Sequence, residues 1–406
     1  MTGPKKIFFT AVSVVLVCLL VASLEYLVRA VQARRYGGGT LIPFALADRF
    51  VAWRINPAYR RVDIQHNAQG FRRVASTSTE KPPNTIRIFL LGGSTAYGAQ
   101  GSFSDIDNRY SRIYNNQLID AYLEQKLSAA VPSRHWEVIN AAASGYRIHQ
   151  QLTLLESRIL RYRPDCVILL DGYNDFMTLF HAAALGGQSD FDAYESTAGR
   201  DEFDAILNSR SLSALLAFSH NWIRSNSALI RLTEDRVPGL VRNPWRGAPR
   251  NQLASANPAT PSDLQPVERK GADWALREAS FFPRVARQIF RIANLDGTVP
   301  IFLLQPILIL SHKQFTTAEK QMFDYDRASG GPLYAYLFPE TYRRLAGQMS
   351  EAAQMDGFPF VNLEGVFDGS ADQTFTDFAH LTPRGNEIIA ERLVPLILEK
   401  LGQAGK

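Results

Sequence analysis

The chain has 406 residues, 46% of them hydrophobic and 20% charged, with two cysteines and a net charge of +5. These values fit one large globular unit with additions and exclude a disordered or collagen-like chain. Cys18 and Cys166 lie far apart in apolar runs, which argues against a disulfide frame or a zinc site. The charge is unevenly placed. Residues 1–75 hold eleven Lys or Arg against three acids, so they carry +8 and the remainder carries −3. A basic excess next to an apolar segment fits anionic lipid headgroups, and no nucleic-acid module is present.

Lys5 and Lys6 precede an uncharged run from Ile7 to Leu24, close to the roughly 20 apolar residues that span a bilayer as a helix. A signal peptide would have a shorter apolar core and a small-residue cleavage site directly after it. Here Glu25, Tyr26 and Arg29 follow, which favours an uncleaved anchor over residues 1–36. Lys5 and Lys6 favour a cytoplasmic N-terminus, whereas Arg29, Arg34 and Arg35 pull the other way. Gly37 to Gly39 marks a break, and residues 37–84 read as a linker and lead-in.

From residue 85 strands and helices alternate. Ile86–Leu91, Trp136–Ile139, Cys166–Leu170, Val299–Leu304 and Phe358–Val361 read as short buried strands. Helices are predicted over Tyr110–Ala130, Ile148–Tyr162, Phe282–Leu295, Tyr342–Met355 and Pro383–Leu401. Apolar strands alternating with helices indicate an α/β fold around a five-stranded parallel sheet, with the ligand site at the carboxyl ends of the strands. The domain runs over 85–402, with insertions at about 176–275 and 307–338. In the longer one, Phe203–Leu232 reads as helical and Pro238–Pro266 as loop. Both insertions follow strands at their carboxyl ends, where they are placed to overhang a site.

Four motifs carry chemistry. Gly92-Gly93-Ser94-Thr95 follows the first strand, and its glycines allow a sharp turn that presents Ser94. It lacks the Gly-Lys-Ser/Thr ending of a phosphate loop and, with Ala96, the Gly-x-Ser-x-Gly elbow. Asn140 to Gly145 follows the second strand, and a glycine there offers an unhindered backbone N–H. Asp171 to Asp175 follows the third, and the Asn174 amide can donate into the same space. Donors aimed at an oxyanion are often the largest single contribution to acyl transfer. Asp377-Phe378-Ala379-His380 precedes the last helix. An imidazole takes a serine proton, and a carboxylate three residues earlier holds its ring. His66, His135, His149, His181, His220 and His312 have no comparable setting and read as structural or surface residues. Each motif alone is also an ordinary turn. Together they follow successive strands in the order that brings them to one edge of the sheet.

In these residues the chain resembles the SGNH (GDSL-like) hydrolase family. Gly92 to Thr95 is similar to its nucleophile block, in the variant with Gly in place of Asp before the serine. Gly145 matches the glycine of the second block, Asn174 the asparagine of the third, and Asp377 with His380 the final Asp-x-x-His block. The resemblance covers roughly 85–402 outside the insertions. It implies a flavodoxin-like three-layer α/β/α sandwich, Ser94, Asp377 and His380 as catalytic residues, and an oxyanion hole from Ser94, Gly145 and Asn174. It implies no metal and no cofactor. The function expected is esterase action on a short-chain or acetyl ester. The alternatives are an O-acyltransferase acting on an envelope glycan with the same residues, and an inert membrane-tethered binding module. The partners expected are an ester substrate such as an acylated glycan or lipid, and the membrane, with an extracytoplasmic domain and no nucleic acid. His66 to Arg72 also resembles an Asn-x-x-Gly-Phe-Arg stretch found ahead of the domain in many bacterial relatives.

Overall fold

A computed structural model of the chain describes residues 3–36, 44–48, 50–100, 112–187 and 260–404. The break at Gly37 to Gly39, the helix expected over Phe203–Leu232 and most of the loop expected over Pro238–Pro266 lie outside these residues.

Helix α1 (Gly3–Tyr36) opens the chain. Its stretch Phe9–Val31 is 23 residues long and unburied. At 1.5 Å per residue it extends about 35 Å, against about 30 Å for a hydrocarbon core. The helix is therefore long and apolar enough to cross a membrane, the same property that a signal sequence has.

Two short strands, β1 (Ala45–Asp48) and β2 (Ala52–Ile55), pair antiparallel. The main sheet then builds from β3 (Thr85–Gly92), β4 (His135–Asn140), β5 (Cys166–Asp171), β6 (Val299–Leu304) and β7 (Phe360–Asn362). All its pairings are parallel, in the order β4-β3-β5-β6-β7. That is second, first, third, fourth, fifth, the flavodoxin-like order. Every residue of β5 is buried, which explains its unbroken apolar sequence. The expected strands are all present within two residues of their expected bounds, and the α/β class with five parallel strands holds.

Helices flank the sheet. They are α2 (Ser94–Tyr97), α3 (Ile119–Ala130), α4 (Ile148–Leu154), α5 (Tyr173–Ala184), α6 (Pro266–Glu278), α7 (Phe281–Leu295), α8 (Thr317–Asp356) and α9 (Pro383–Ala404). α3 packs on β4 and on α9; α4 packs on β3, β5 and α7; α7 packs on β6.

Three expectations need adjustment. The first long helix starts at Ile119, behind a single turn at Asn115–Gln117. The helix expected over Ile148–Tyr162 is α-helical only to Leu154 and ends in a wide turn and a tight one. Most of 307–338 is helical and continuous with the helix expected at Tyr342, interrupted only at Gly331 (φ 69°). Gly330-Gly331-Pro332 carries strong breaker chemistry. The break is nevertheless local, because Pro332 needs no N–H donor in the first turn of the second half.

Candidate active site

Strand β3 ends in Gly92 at φ 149°, Gly93 is extended, and α2 starts at Ser94. The Tyr97 N–H donates to the Gly93 carbonyl at 2.9 Å, so Gly93 caps the single turn that follows. Ser94 is half-buried and Thr95 is buried beside it.

The second loop leaves β4 at Asn140, whose amide donates to the Ala96 carbonyl at 2.9 Å and to Asp120 Oδ1 at 2.8 Å. The turn passes Gly145 at φ +82°. The third loop leaves β5 at Asp171, and Asn174 lies in the first turn of α5. Asn174 Nδ2 donates to the Tyr146 carbonyl at 2.9 Å, which joins the second and third loops. The first loop meets them at Gly93. A Cβ on Gly93 would stand 2.2 Å from Asn174 Nδ2 and 3.2 Å from the Tyr146 carbonyl oxygen, so a side chain here would require the Asn174 amide to shift.

The fourth loop lies between β7 and α9. Asp377, fully buried, accepts the Ala379 and His380 N–H groups on Oδ1 at 2.9 and 2.8 Å. Its Oδ2 lies 2.7 Å from His380 Nδ1. Burial by itself would raise this carboxyl. The charge of His380 and the hydrogen bonds from His380 and Ala379 outweigh it and bring the carboxyl down to about 2. An ionised Asp377 holds the proton of His380 on Nδ1. His380 Nε2 is buried and has no hydrogen-bond partner among the described residues. The arrangement is that of an imidazole held by a carboxylate, with its second nitrogen unengaged.

The fourth loop is tied to the first. Thr95 Oγ1 donates to the Ala379 carbonyl at 3.1 Å and accepts from Gln305 Nε2 at 3.2 Å. Gln305 directly follows β6, and its carbonyl accepts from the Tyr342 hydroxyl. On the other side, Glu319 of α8 is buried. Its carboxylate accepts from the Thr374 N–H at 2.8 Å, the Phe375 N–H at 3.2 Å and the buried Lys313 Nζ at 2.6 Å.

The five sequence-predicted residues thus fall on loops at one edge of the sheet. Ser94 and Asn174 lie in the first turns of α2 and α5, which meet at Gly93, Gly145 lies on the loop that receives Asn174, and Asp377 with His380 is coupled in through Thr95. Sequence reasoning missed Thr95, Gln305, Lys313, Glu319 and Trp53. Trp53 Nε1 donates to the Ser144 carbonyl at 3.1 Å, beside Gly145. Only Thr95 and Gln305 had a legible signal, lying next to a motif residue and a strand end. Asp326, near Asp377 on α8, was missed as well. Burial, opposed by a Tyr334 hydrogen bond and reinforced by the charge of Asp377, raises its carboxyl to about 6. The remaining described histidines stand outside these loops. Among the described residues, no group of three or more His, Cys, Asp or Glu side chains is placed to hold a metal ion.

The model of the GDSL-like lipase/acylhydrolase family matches residues 90–388. Among solved structures, the acetyl xylan esterase AlAXEase is 11% identical with a TM-score of 0.38, over 77% of this chain and 100% of that one. LAE5, an alpha/beta hydrolase enzyme from the metagenome of Lake Arreo in Spain, is 13% identical with a TM-score of 0.34, over 78% and 95%. A catalytic mutant of Axe2, an acetylxylan esterase from Geobacillus stearothermophilus, is 11% identical with a TM-score of 0.36, over 78% and 94%. No curated protein matches the sequence.

Proposed function

We propose, for a chain that belongs to the GDSL-like lipase/acylhydrolase family and is thus an ester-hydrolysing enzyme, that it is a serine esterase working through an acyl-Ser94 intermediate. The observation that carries this reading is the Asp377–His380 pair at 2.7 Å, its loop bound to the residue after Ser94.

His380 Nε2 takes the Ser94 proton as Oγ attacks the ester carbonyl. The carbonyl π electrons move to oxygen, and the oxyanion is met by the backbone N–H groups of Ser94 and Gly145 and by Asn174 Nδ2. One Asn174 N–H is engaged by the Tyr146 carbonyl at 2.9 Å, which orients the amide and leaves its second N–H for the oxyanion. Each such donor contributes on the order of a hundredfold or more in rate. As the tetrahedral species collapses, His380 returns the proton to the leaving alcohol. Water then attacks acyl-Ser94 with His380 Nε2 taking its proton, and as this second tetrahedral species collapses His380 returns the proton to Ser94 Oγ and the acid is released. Asp377 stays ionised throughout, holding the ring and stabilising the imidazolium.

Residues 85–402 form the catalytic domain in this reading, with α1 as its anchor and a short-chain ester of an envelope glycan or lipid as substrate. The apolar helix ahead of the domain supports an enzyme held at a membrane surface; its domain is proposed on the extracytoplasmic side. A fusion reporter that places residue 406 in the cytoplasm would overturn that side of the proposal.

The deciding experiment is hydrolysis of a chromogenic short-chain ester by the wild-type protein and Ser94→Ala. Activity is expected to vanish in the variant while its melting temperature stays within a few degrees. Equal rates in both proteins would eliminate Ser94 as the nucleophile. Adding a glycan acceptor to an acetyl-donor assay separates water from a sugar hydroxyl as the second nucleophile. Free acetate is expected at a rate the acceptor does not change.

A further inference from the structure

The stretch from His66 to Arg72 lies outside the family-matched residues, yet it reaches the helix that carries Ser94. Asn67 organises it. Its Oδ1 accepts the Gln69 and Phe71 N–H groups, both at 3.0 Å, and its Nδ2 donates to the Ala75 carbonyl at 3.0 Å and Thr77 Oγ1 at 3.2 Å. Gly70 turns at φ +86°, and a Cβ there would stand 2.9 Å from the Ile55 carbonyl oxygen. Phe71 packs edge-on against Phe89 of β3 and against Tyr162, both at 5.5 Å. Asn67, Gly70 and Phe71 together aim Arg72 into the interior.

Arg72 is 2% exposed. Its Nη1 donates to the Tyr97 carbonyl at 2.9 Å and the Gly98 carbonyl at 2.6 Å, and its Nη2 to the Ile113 carbonyl at 2.7 Å. Its Nε donates to Asn115 Oδ1 at 3.3 Å, and the guanidinium lies 4.7 Å from the Tyr97 ring centre. A helix leaves its last carbonyls without partners and collects partial negative charge there. The guanidinium supplies both the donors and the positive charge at the end of α2. The same turn is held a second time. The Tyr97 hydroxyl meets His66 Nε2 at 2.8 Å, and His66 Nδ1 lies 2.9 Å from the Asn56 carbonyl oxygen. The carbonyl requires the proton on Nδ1, so Nε2 accepts from the tyrosine. Burial keeps this imidazole neutral, lowering it to about 4.

We propose that the Asn67–Arg72 stretch, with His66, is a positioning element of the active site: Arg72 and His66 fix the carboxyl end of α2 and thereby place Ser94 at its other end. α2 is a single turn about 6 Å long, so a hold on Tyr97 and Gly98 sets where Ser94 stands. The functional unit then begins ahead of residue 85, within the lead-in. The inference rests on Ser94 being the nucleophile.

The test uses the full chain in detergent, with kcat and KM on a chromogenic short-chain ester, the labelling rate of Ser94 by a fluorophosphonate, and the melting temperature. Arg72→Lys retains the charge but cannot reach three carbonyls at once. Below its melting temperature it is expected to lose on the order of tenfold to a hundredfold in both kcat and labelling rate, with KM within about twofold, because misplacing a reacting group by about an ångström has that effect. A folded Arg72→Lys that turns over and labels at wild-type rates overturns the proposal. Should that variant fail to fold, Tyr97→Phe decides. It removes the tie to His66 and keeps the ring, and a fall of several-fold in kcat and labelling at unchanged KM supports the proposal, whereas wild-type values overturn it. Ser94→Ala runs alongside. Turnover in that variant would sink the nucleophile reading itself, a result separate from either outcome for Arg72.

Discussion

Thr95 Oγ1 donates to the carbonyl of Ala379 at 3.1 Å across 284 residues of sequence. This bond joins the residue after Ser94 to the residue before His380, so it sets the spacing between the two proposed reacting groups. The hydroxyl also accepts from Gln305 at 3.2 Å, and both ends are buried. Thr95→Val keeps the shape and leaves the Ala379 carbonyl and the Gln305 amide without this partner. Leaving such groups buried costs about 1–3 kcal/mol each. A lower melting temperature is expected, together with a fall in kcat on the order of tenfold and little change in KM. Steady-state kinetics on a folded sample check this, and an unaltered kcat would show that the bond serves the fold alone.

Gly93 stands where the first loop closes on Asn174, with 2.2 Å between a would-be Cβ and the amide nitrogen. Gly93→Ala must push Asn174 off the Tyr146 carbonyl. The expected loss in kcat is on the order of a hundredfold, the effect of removing one oxyanion donor. The stability loss is expected to be only about 1 kcal/mol, that of one hydrogen bond. Asn174→Ala provides the comparison. Combining the two changes should cost no more than either alone, and additive losses would contradict a shared cause.

Lys313 and Glu319 are paired at 2.6 Å with both side chains fully buried. The three donors from Thr374 and Phe375 on Glu319 make this pair the brace of the Asp377–His380 loop. Glu319→Gln leaves an ammonium without a counter-charge and is expected to destabilise by about 3–5 kcal/mol. Chemical denaturation measures it. A loss below about 1 kcal/mol would mean that the loop finds other support.

His66 and Asp377 each contribute to the pH dependence of stability. His66 ionises near pH 4 in the folded protein, below the roughly 6.5 of a free imidazole. Between these values the unfolded chain binds a proton that the folded one refuses, so stability is full above about pH 6.5 and falls as the pH drops toward 4. The full difference is roughly 3 kcal/mol. Asp377 ionises near 2, so its contribution is present above about pH 4 and fades only as the pH falls toward 2. Melting curves of the wild type and His66→Gln should therefore converge as the pH falls from 6.5 to 4. His149, held by burial at about 4, keeps part of the slope in both. Parallel curves would place the titration elsewhere.

The strands were legible because β5 and β6 are buried on both faces and show it as unbroken apolar runs such as Val167 to Leu170. The motif residues were legible because each directly follows a strand or precedes the last helix. What Arg72 contacts was not, for a physical reason, although the stretch that ends in it stood out in the sequence. Its partners are the main-chain carbonyls of Tyr97, Gly98 and Ile113, and every residue has a carbonyl, so no complementary side chain marks the contact. Trp53 was hidden in the same way, its partner being the Ser144 carbonyl. The first half of α8 fell in the stretch read as the insertion 307–338, where Gly330, Gly331 and Pro332 interrupt the helical pattern.

A sheet with only parallel pairings forms no neighbouring pair through a tight hairpin, since each crossover must first be made. Such topologies fold slowly, because loop closure precedes the contacts that reward it. The loops of Ser94, Gly145 and Asn174 belong to the first three strands of this sheet, whereas Asp377 and His380 come after the last and edge strand, β7. During synthesis the proposed oxyanion-binding residues are therefore complete in sequence some two hundred residues before the proposed base. In the proposed mechanism a chain stalled anywhere in that interval has Ser94 but not its base, so competence waits for the segment that follows β7.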